Sequence, residues 1–185
     1  MAEAETPPIA RPWAVLIGLT LGVAVTNGFA RFAYGLILPA MRADLGWSYA
    51  EAGWLNTANA LGYVAGALAT LALVRRQPAS RLFAWGMGGT AVFLLATAFA
   101  ESLAALTLQR ALTGAFAAAA FTSGGALSAL IWRDEPRRNA LAIALYFGLG
   151  GGLGMILPGA VLPFLFAAEG PAAWPRVARI TAPSR

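Results

Sequence analysis

Two arginines lie inside long apolar segments of this chain, where a charged side chain is unusual and could bind an anion. Arg31 lies within the segment 13–39, and Arg110 lies within 103–132. A guanidinium at mid-bilayer costs about 2.5–3.5 kcal/mol on insertion scales, so such a group should face protein or water. No carboxylate lies at this depth in the sequence. Two cations without a local counter-ion favour an anionic solute, or acidic residues supplied by a further part of the protein. The alternatives are that each arginine caps carbonyl groups of a neighbouring helix, or that Arg31 reaches the membrane surface.

Polar side chains accompany these arginines at helical spacing. In the first segment they recur at i, i+4 and i+7, which places them on one face of an α-helix. The segment 50–74 carries a comparable stripe. Polar stripes in membrane helices face protein or water rather than lipid, and ordinary interhelical hydrogen bonding is the alternative to a role in transport. The candidate substrate-pathway residues are Asn27, Arg31, Tyr34, Asn56, Asn59, Tyr63 and Arg110.

The amino-acid composition excludes several classes of function. Hydrophobic residues make up 59% of the 185 residues and charged residues 11%, whereas a soluble domain is about 25% charged. Cysteine and histidine are absent, which excludes disulfides, Cys/His metal sites and Cys/His nucleophiles. No basic groove with interleaved aromatic residues is visible. We therefore expect no enzyme activity, no cofactor, no metal and no nucleic-acid partner.

Five apolar segments predict an all-α integral membrane protein, because about 20 apolar residues are enough for a helix to cross a bilayer. The lipid bilayer is thus the first expected partner. A flexible cytoplasmic N-terminus is expected over 1–12, a helical bundle over 13–166, and a polar basic tail over 167–185. The predicted spans are about 13–39, 50–74, 82–100, 103–132 and 140–166.

The arginines in the short loops predict the orientation. Cytoplasmic loops carry an excess of positive residues. In its short loops one side of the predicted bundle has only Arg42, whereas the other side has seven arginines, which predicts a cytoplasmic N-terminus and an outside C-terminus. The seven are Arg11, Arg75, Arg76, Arg81, Arg133, Arg137 and Arg138. The basic tail breaks this pattern, because it adds Arg176, Arg179 and Arg185 on the outer side.

Glycines at four-residue spacing predict close helix contacts. Such pairs occur at Gly62 and Gly66 and at Gly148 and Gly152. The glycine-rich stretch 148–154 and the prolines that follow it predict a bend in the fifth span, of a kind that is common along transport pathways.

Residues 28–68 carry rare intramembrane residues at fixed offsets. This stretch resembles the first two helices of the YbfB/YjiJ family of major facilitator superfamily transporters. The stretch 106–118 is similar to the superfamily's helix-4 motif, with Arg110 followed by Gly114, and the fifth span is loosely similar to the helix-5 motif. The loop LVRRQPASRL departs from the family pattern, because it lacks the aspartate of the usual latch. The matching positions in the first two helices are Gly28, Arg31, Phe32, Tyr34, Leu38, Pro39, Met41, Asn59, Gly62, Tyr63 and Gly66.

The resemblance implies five helices of an N-terminal six-helix half, in a family whose members have twelve helices. It implies a transporter that moves a small solute by alternating access in the bacterial inner membrane, and the arginines favour an anion. As this chain alone the transporter would be incomplete, so a second half or a homodimer is an expected partner. Two alternatives stay open: an inactive truncated or frameshifted remnant, and a small membrane scaffold protein.

Overall fold

A computed structural model describes residues 10–100 and 102–169, and within these ranges the chain is helical with no strand. The all-α prediction is confirmed. There are five long helices. The first, α1, consists of an α-helical segment Pro12–Val23, a π-helical segment Ala24–Ala33 and a second α-helical segment Tyr34–Leu45. The others are α2 (Tyr49–Leu73), α3 (Ala79–Thr97), α4 (Leu103–Ser128) and α5, which comprises Pro136–Ala144, the π-helical Leu145–Leu149 and Gly150–Glu169.

Helix α1 is longer than the first predicted span. It begins at Pro12, where a missing N–H costs no helical hydrogen bond. It continues past Pro39, the predicted exit, and ends at Leu45. Gly46 follows in the left-handed conformation, with a φ of 68°. Glycine adopts that conformation without a steric penalty, so Gly46 rather than Pro39 stops the helix.

Serine caps start α2 and α4. The Ser48 hydroxyl accepts a hydrogen bond from the Glu51 backbone N–H at 3.2 Å, and the Glu51 carboxylate accepts one from the Ser48 N–H at 2.9 Å. This reciprocal arrangement satisfies two backbone donors that the helix itself cannot. At α4, the Ser102 hydroxyl accepts from the Ala105 N–H at 3.3 Å. These caps fix where the two helices begin.

Four of the five helices, α1, α3, α4 and α5, are long and apolar enough to cross a membrane. Helix α2 has 25 residues but is less apolar, because Asn56 and Asn59 interrupt it. An asparagine inside such a helix needs a polar partner or a wet face. The way α2 packs therefore determines where the polar surface of the bundle lies.

Helix α4 packs along both α2 and α3, and the π-helical part of α1 packs against α5. The buried apolar side chains form two clusters. One joins Tyr34, Leu55 and Leu106 with neighbours near the α1–α2 connection. The other joins Leu16, Trp132 and others near the opposite ends of α1 and α4. The buried polar side chains Thr26 of α1 and Arg110 of α4 lie between the two clusters, and Asn59 of α2 adjoins Arg110. We call these three residues the polar layer.

The predicted terminal segments fall largely outside the described residues. Residues 1–9 and 170–185 are not described, and neither is residue 101. Within the described part, α5 extends as far as Glu169, so the first residues of the predicted tail 167–185 continue that helix.

Candidate substrate site

Arg110 is the centre of the polar layer. It lies on α4, is 0% exposed, and is the largest fully buried side chain among the described residues. Its Nη1 donates a hydrogen bond of 2.9 Å to the carbonyl oxygen of Ala30 on α1. Its guanidinium carbon lies 3.7 Å from the centroid of the Tyr34 ring. That distance is well within the range of a cation–π interaction. Arg110 thus joins α4 to α1 through one hydrogen bond and one ring stack.

The local geometry of α1 explains why a backbone carbonyl serves as the partner. Ala30 lies in the π-helical segment Ala24–Ala33, where i→i+5 bonding replaces the α-helical pattern. π-Helical turns are rare and occur frequently at functional sites. A carbonyl oxygen has two lone pairs, so the Ala30 carbonyl can accept a side-chain donor from α4 in addition to a helical hydrogen bond. Arg110 therefore caps a carbonyl of a neighbouring helix, which the sequence left as one of two interpretations.

The bonding of Arg110 is incomplete among the residues that the structure describes. Its Nε and Nη2 are buried and have no hydrogen-bond partner there, and the same holds for the Tyr34 hydroxyl. An unsatisfied buried polar group costs about 1–3 kcal/mol, and more when it is charged. The unit formed by Arg110 and Tyr34 is thus rich in donors and poor in acceptors, and all its free groups are enclosed.

Close helix contact holds α2 against α4 beside Arg110. The Asn59 amide donates a hydrogen bond of 3.0 Å to the Arg110 carbonyl oxygen. A Cβ added at Gly62 would overlap the backbone of Ala111, and one added at Gly114 would overlap the Asn59 carbonyl. Gly66 meets the backbone of the next turn of α4 in the same way. These predicted packing glycines let the two backbones touch.

Arg31 has different surroundings. Its side chain is exposed, and its guanidinium carbon lies 5.7 Å from the centroid of the half-buried Tyr63 ring on α2. No carboxylate pairs with it in the described ranges. Asn56 is also exposed, and Asn27 is half-buried. We call the surface formed by Asn27, Arg31, Asn56 and Tyr63 the open face.

The π-helical segment also changes which residues of α1 belong together. The predicted stripe of Asn27, Arg31 and Tyr34 assumed 3.6 residues per turn. The structure has π geometry up to Ala33, and Tyr34 is buried against Arg110 while Arg31 is exposed. In α2, Asn59 is buried and Asn56 is exposed. Of the seven candidates, Tyr34, Asn59 and Arg110 are thus buried, and the other four form the open face.

The glycines of α5 that make contact are not the predicted pair. A Cβ added at Gly148 or Gly152 would meet open space. Gly154 instead lies directly against Gly28 of α1. Gly150, one turn before Gly154 on α5, lies against the Thr20 carbonyl oxygen of α1. A GxxxG pair is therefore present at 150 and 154. The sequence contains both GxxxG pairs, 148/152 and 150/154, and the rotation of α5 about its axis determines which pair faces α1.

Sequence reasoning missed a set of aromatic side chains next to the open face. The Phe121 ring of α4 lies 6.4 Å from Tyr63 and 5.1 Å from Phe147 of α5, centroid to centroid. Phe147 also packs edge-on to Tyr146 at 4.8 Å. The Tyr146 hydroxyl donates a 2.9 Å hydrogen bond to the Phe121 carbonyl oxygen. The only sequence signal was a phenylalanine within the small residues of α4.

The part of the chain that the structure describes contains no group of three or more acidic, histidine or cysteine residues that could hold a metal ion. The polar side chains of the open face are one cation, two amides and one phenol. Such groups can donate hydrogen bonds to an anion and stabilise its charge.

Comparison with known proteins identifies the family of this chain. The profile of the family described as "Uncharacterised MFS-type transporter YbfB" matches residues 23–182. A Haemophilus influenzae protein named "Putative metabolite transport protein" is 31% identical over 153 residues, which are 83% of this chain and 37% of that protein. The "Gallate transporter" of Pseudomonas putida is 29% identical over 161 residues, 85% of this chain and 35% of that protein.

The chain therefore spans little more than a third of the length of these relatives. The family match covers most of the chain, and its helices are of membrane-spanning type. The chain is a multi-pass membrane protein and belongs to the YbfB-type family of major facilitator superfamily transporters.

Proposed function

We propose that this chain forms one wall of a transporter that moves a small anionic solute by alternating access. The observation that carries the proposal is Arg31, an exposed cation in the middle of a membrane helix with no carboxylate partner in the described residues. Such a side chain is costly against lipid and is stabilised by water or an anion. Membership of a transporter family supports the same role.

The open face needs an opposing wall. Transporters of this superfamily consist of two halves that rock against each other around a site near the bilayer midplane. The relatives are almost three times the length that this chain matches. We infer that a second six-helix unit covers Arg31 and Asn56, whether it is part of the same polypeptide or a separate one. A homodimer is the alternative partner.

The proposed location is the bacterial inner membrane, with the N-terminus and the loops 75–81 and 133–138 in the cytoplasm. The motive is the excess of loop arginines on that side. Engineered cysteines report orientation cleanly, because the chain has none of its own. A Ser80→Cys variant in intact cells should resist an impermeant thiol reagent. Labelling from outside would reverse the proposed orientation.

Reconstitution into liposomes tests the function itself. We expect no saturable uptake of labelled organic anions by the chain alone, and saturable uptake after co-reconstitution with the second half of the Haemophilus influenzae relative. Arg31→Gln should remove that uptake at unchanged protein content. Uptake by the chain alone would refute the need for an opposing wall. An inserted pair that transports no anion would favour a scaffold or an inactive remnant.

A further inference from the structure

We propose that the open face carries a subsite for an aromatic ring beside Arg31, so that the solute is an aromatic carboxylate. This inference rests on the proposed function and specifies its substrate class. It is carried by a continuous row of rings, contributed by three helices, that begins at the exposed arginine. We call Tyr63, Phe121 and Phe147 the ring row.

The ring row starts under the cation. Arg31 lies 5.7 Å from the Tyr63 centroid, Tyr63 lies 6.4 Å from Phe121, and Phe121 lies 5.1 Å from Phe147. Aromatic pairs interact favourably at centroid separations of about 4.5–7 Å. The row thus consists of one cation–ring contact followed by two ring–ring contacts, and α2, α4 and α5 supply one ring each. No other exposed cation of the described membrane interior stands over such a row.

The rings are available to a ligand. Phe147 is 42% exposed, and Tyr63 and Phe121 are half-buried. They are also held in place from behind, because the fully buried Tyr146 contacts Phe121 and Phe147 and donates its hydroxyl to the Phe121 carbonyl. Next to Phe147, a Cβ added at Gly148 would meet open space. A supported apolar surface of partly exposed rings suits a flat ligand ring.

Arg31 and the ring row together indicate what kind of ligand would bind. The free guanidinium fork of Arg31 can bind a carboxylate through two parallel hydrogen bonds. A ring attached to that carboxylate would lie along the row and replace water on the exposed rings, with favourable edge-to-face contacts. A short aliphatic anion would use only Arg31, and a neutral aromatic compound would use only the rings. The combination favours a ligand that has both.

Binding of matched probes to the purified 185-residue chain tests the subsite. Calorimetric titration with benzoate, acetate and benzamide separates the contribution of the ring from that of the charge. We expect benzoate to bind about tenfold more tightly than acetate and than benzamide. Cyclohexanecarboxylate has the same charge and a saturated ring, and should bind about threefold more weakly than benzoate.

Variants locate the binding. Phe121 is the second ring from Arg31 and lies within reach of a ring whose carboxylate binds Arg31. Phe121→Leu keeps an apolar side chain and removes that ring, so benzoate affinity should fall about threefold to tenfold while acetate affinity is unchanged. Arg31→Gln should weaken benzoate and acetate alike by about tenfold or more. Phe116→Leu is the matched control, because Phe116 is also half-buried on α4 and its ring stacks on Phe93 of α3 at 5.7 Å instead of on the ring row.

The outcomes separate this inference from the proposed function. Equal affinity for benzoate and acetate, or a Phe121→Leu variant that binds benzoate as tightly as the parent chain, would overturn the ring subsite and leave an anion transporter in place. A chain that binds none of the probes would also overturn the subsite. Anion uptake by the co-reconstituted pair would still decide the proposed function by itself.

Discussion

Arg110 and Arg31 place the same side chain in two opposite environments of one membrane bundle. Arg110 of α4 is enclosed by α1 and α2. Its guanidinium lies over the Tyr34 ring and donates a hydrogen bond to the Ala30 carbonyl oxygen. Arg31 is exposed on the open face, with the Tyr63 ring 5.7 Å from its guanidinium carbon. An intramembrane arginine is therefore not a substrate ligand by its residue type alone. The packing around it decides whether it holds helices together or remains available.

The two asparagines of α2 repeat this contrast. Asn59 faces α4 and bonds the Arg110 carbonyl, whereas Asn56, less than one turn away, is exposed. One side of α2 thus belongs to the packed interface with α4, and another contributes to the open face. If this division is correct, substitutions on the packed side should lower stability, and substitutions on the open face should spare it.

Arg110→Ala should produce the largest loss of stability. It removes a fully buried side chain, leaves a cavity and deprives the Ala30 carbonyl of its donor, at a cost of about 3 kcal/mol. Reversible unfolding of the purified chain in mixed micelles measures this. Arg110→Met is the matched control: it retains volume and removes the unpaired N–H groups, so it should cost less than about 1.5 kcal/mol. Equal losses for both variants would contradict the packing argument.

Gly62→Ala should have the next largest effect. Its methyl group would overlap the Ala111 carbonyl of α4, so the helices must separate at a cost of about 2 kcal/mol. Gly53→Ala, on the same helix, is the control, because a Cβ there meets open space. That change should be neutral or stabilise the helix by up to about 1 kcal/mol. If the two variants unfold alike, the close α2–α4 contact is absent.

Much of this contrast was accessible from the sequence. Apolar segment lengths predict the helical fold, and the cost of an intramembrane guanidinium marks Arg31 and Arg110 as exceptional. Glycine spacing marks Gly62 and Gly66 as points of close approach, and the structure places both against α4. These properties follow from local composition, so they can be predicted without knowledge of how the helices are arranged.

The assignment of each arginine to its environment was not accessible, because it depends on tertiary register. The π-helical segment of α1 is invisible to a 3.6-residue pattern, and it turns Tyr34 toward Arg110 instead of beside Arg31. Likewise, the contact of Gly154 with Gly28 depends on the rotation of α5, since its glycines offer two registers. The ring row joins residues of three helices and has no local signature.

Asn59→Ala should have a smaller effect than either packed-side change above. It removes one interhelical hydrogen bond of 3.0 Å to the Arg110 carbonyl, and such bonds between membrane helices contribute about 0.6–2 kcal/mol. We expect a loss of about 1 kcal/mol in the same unfolding assay. Asn56→Ala removes the same group from the exposed side of α2 and should change stability by less than about 0.5 kcal/mol. A larger loss for Asn56→Ala would reverse the assignment of the two sides.

Arg31→Gln should have the smallest effect on stability and a large effect on transport. The side chain is exposed and has no ion pair in the described residues, so its loss should change the unfolding free energy by less than about 0.5 kcal/mol. Removal of a charge from an apolar helix also favours insertion. Uptake by the co-reconstituted pair should nevertheless disappear, because the anion loses its cation.

Arg31→Lys sharpens this last prediction. Lysine keeps the charge but presents a single ammonium instead of a planar fork, so it cannot bind a carboxylate through two parallel hydrogen bonds. We expect it to fold like the parent chain and to transport poorly. Full transport by Arg31→Lys would show that charge alone is needed. Normal uptake by Arg31→Gln, or a stability loss as large as that of Arg110→Ala, would remove the distinction between the two arginines.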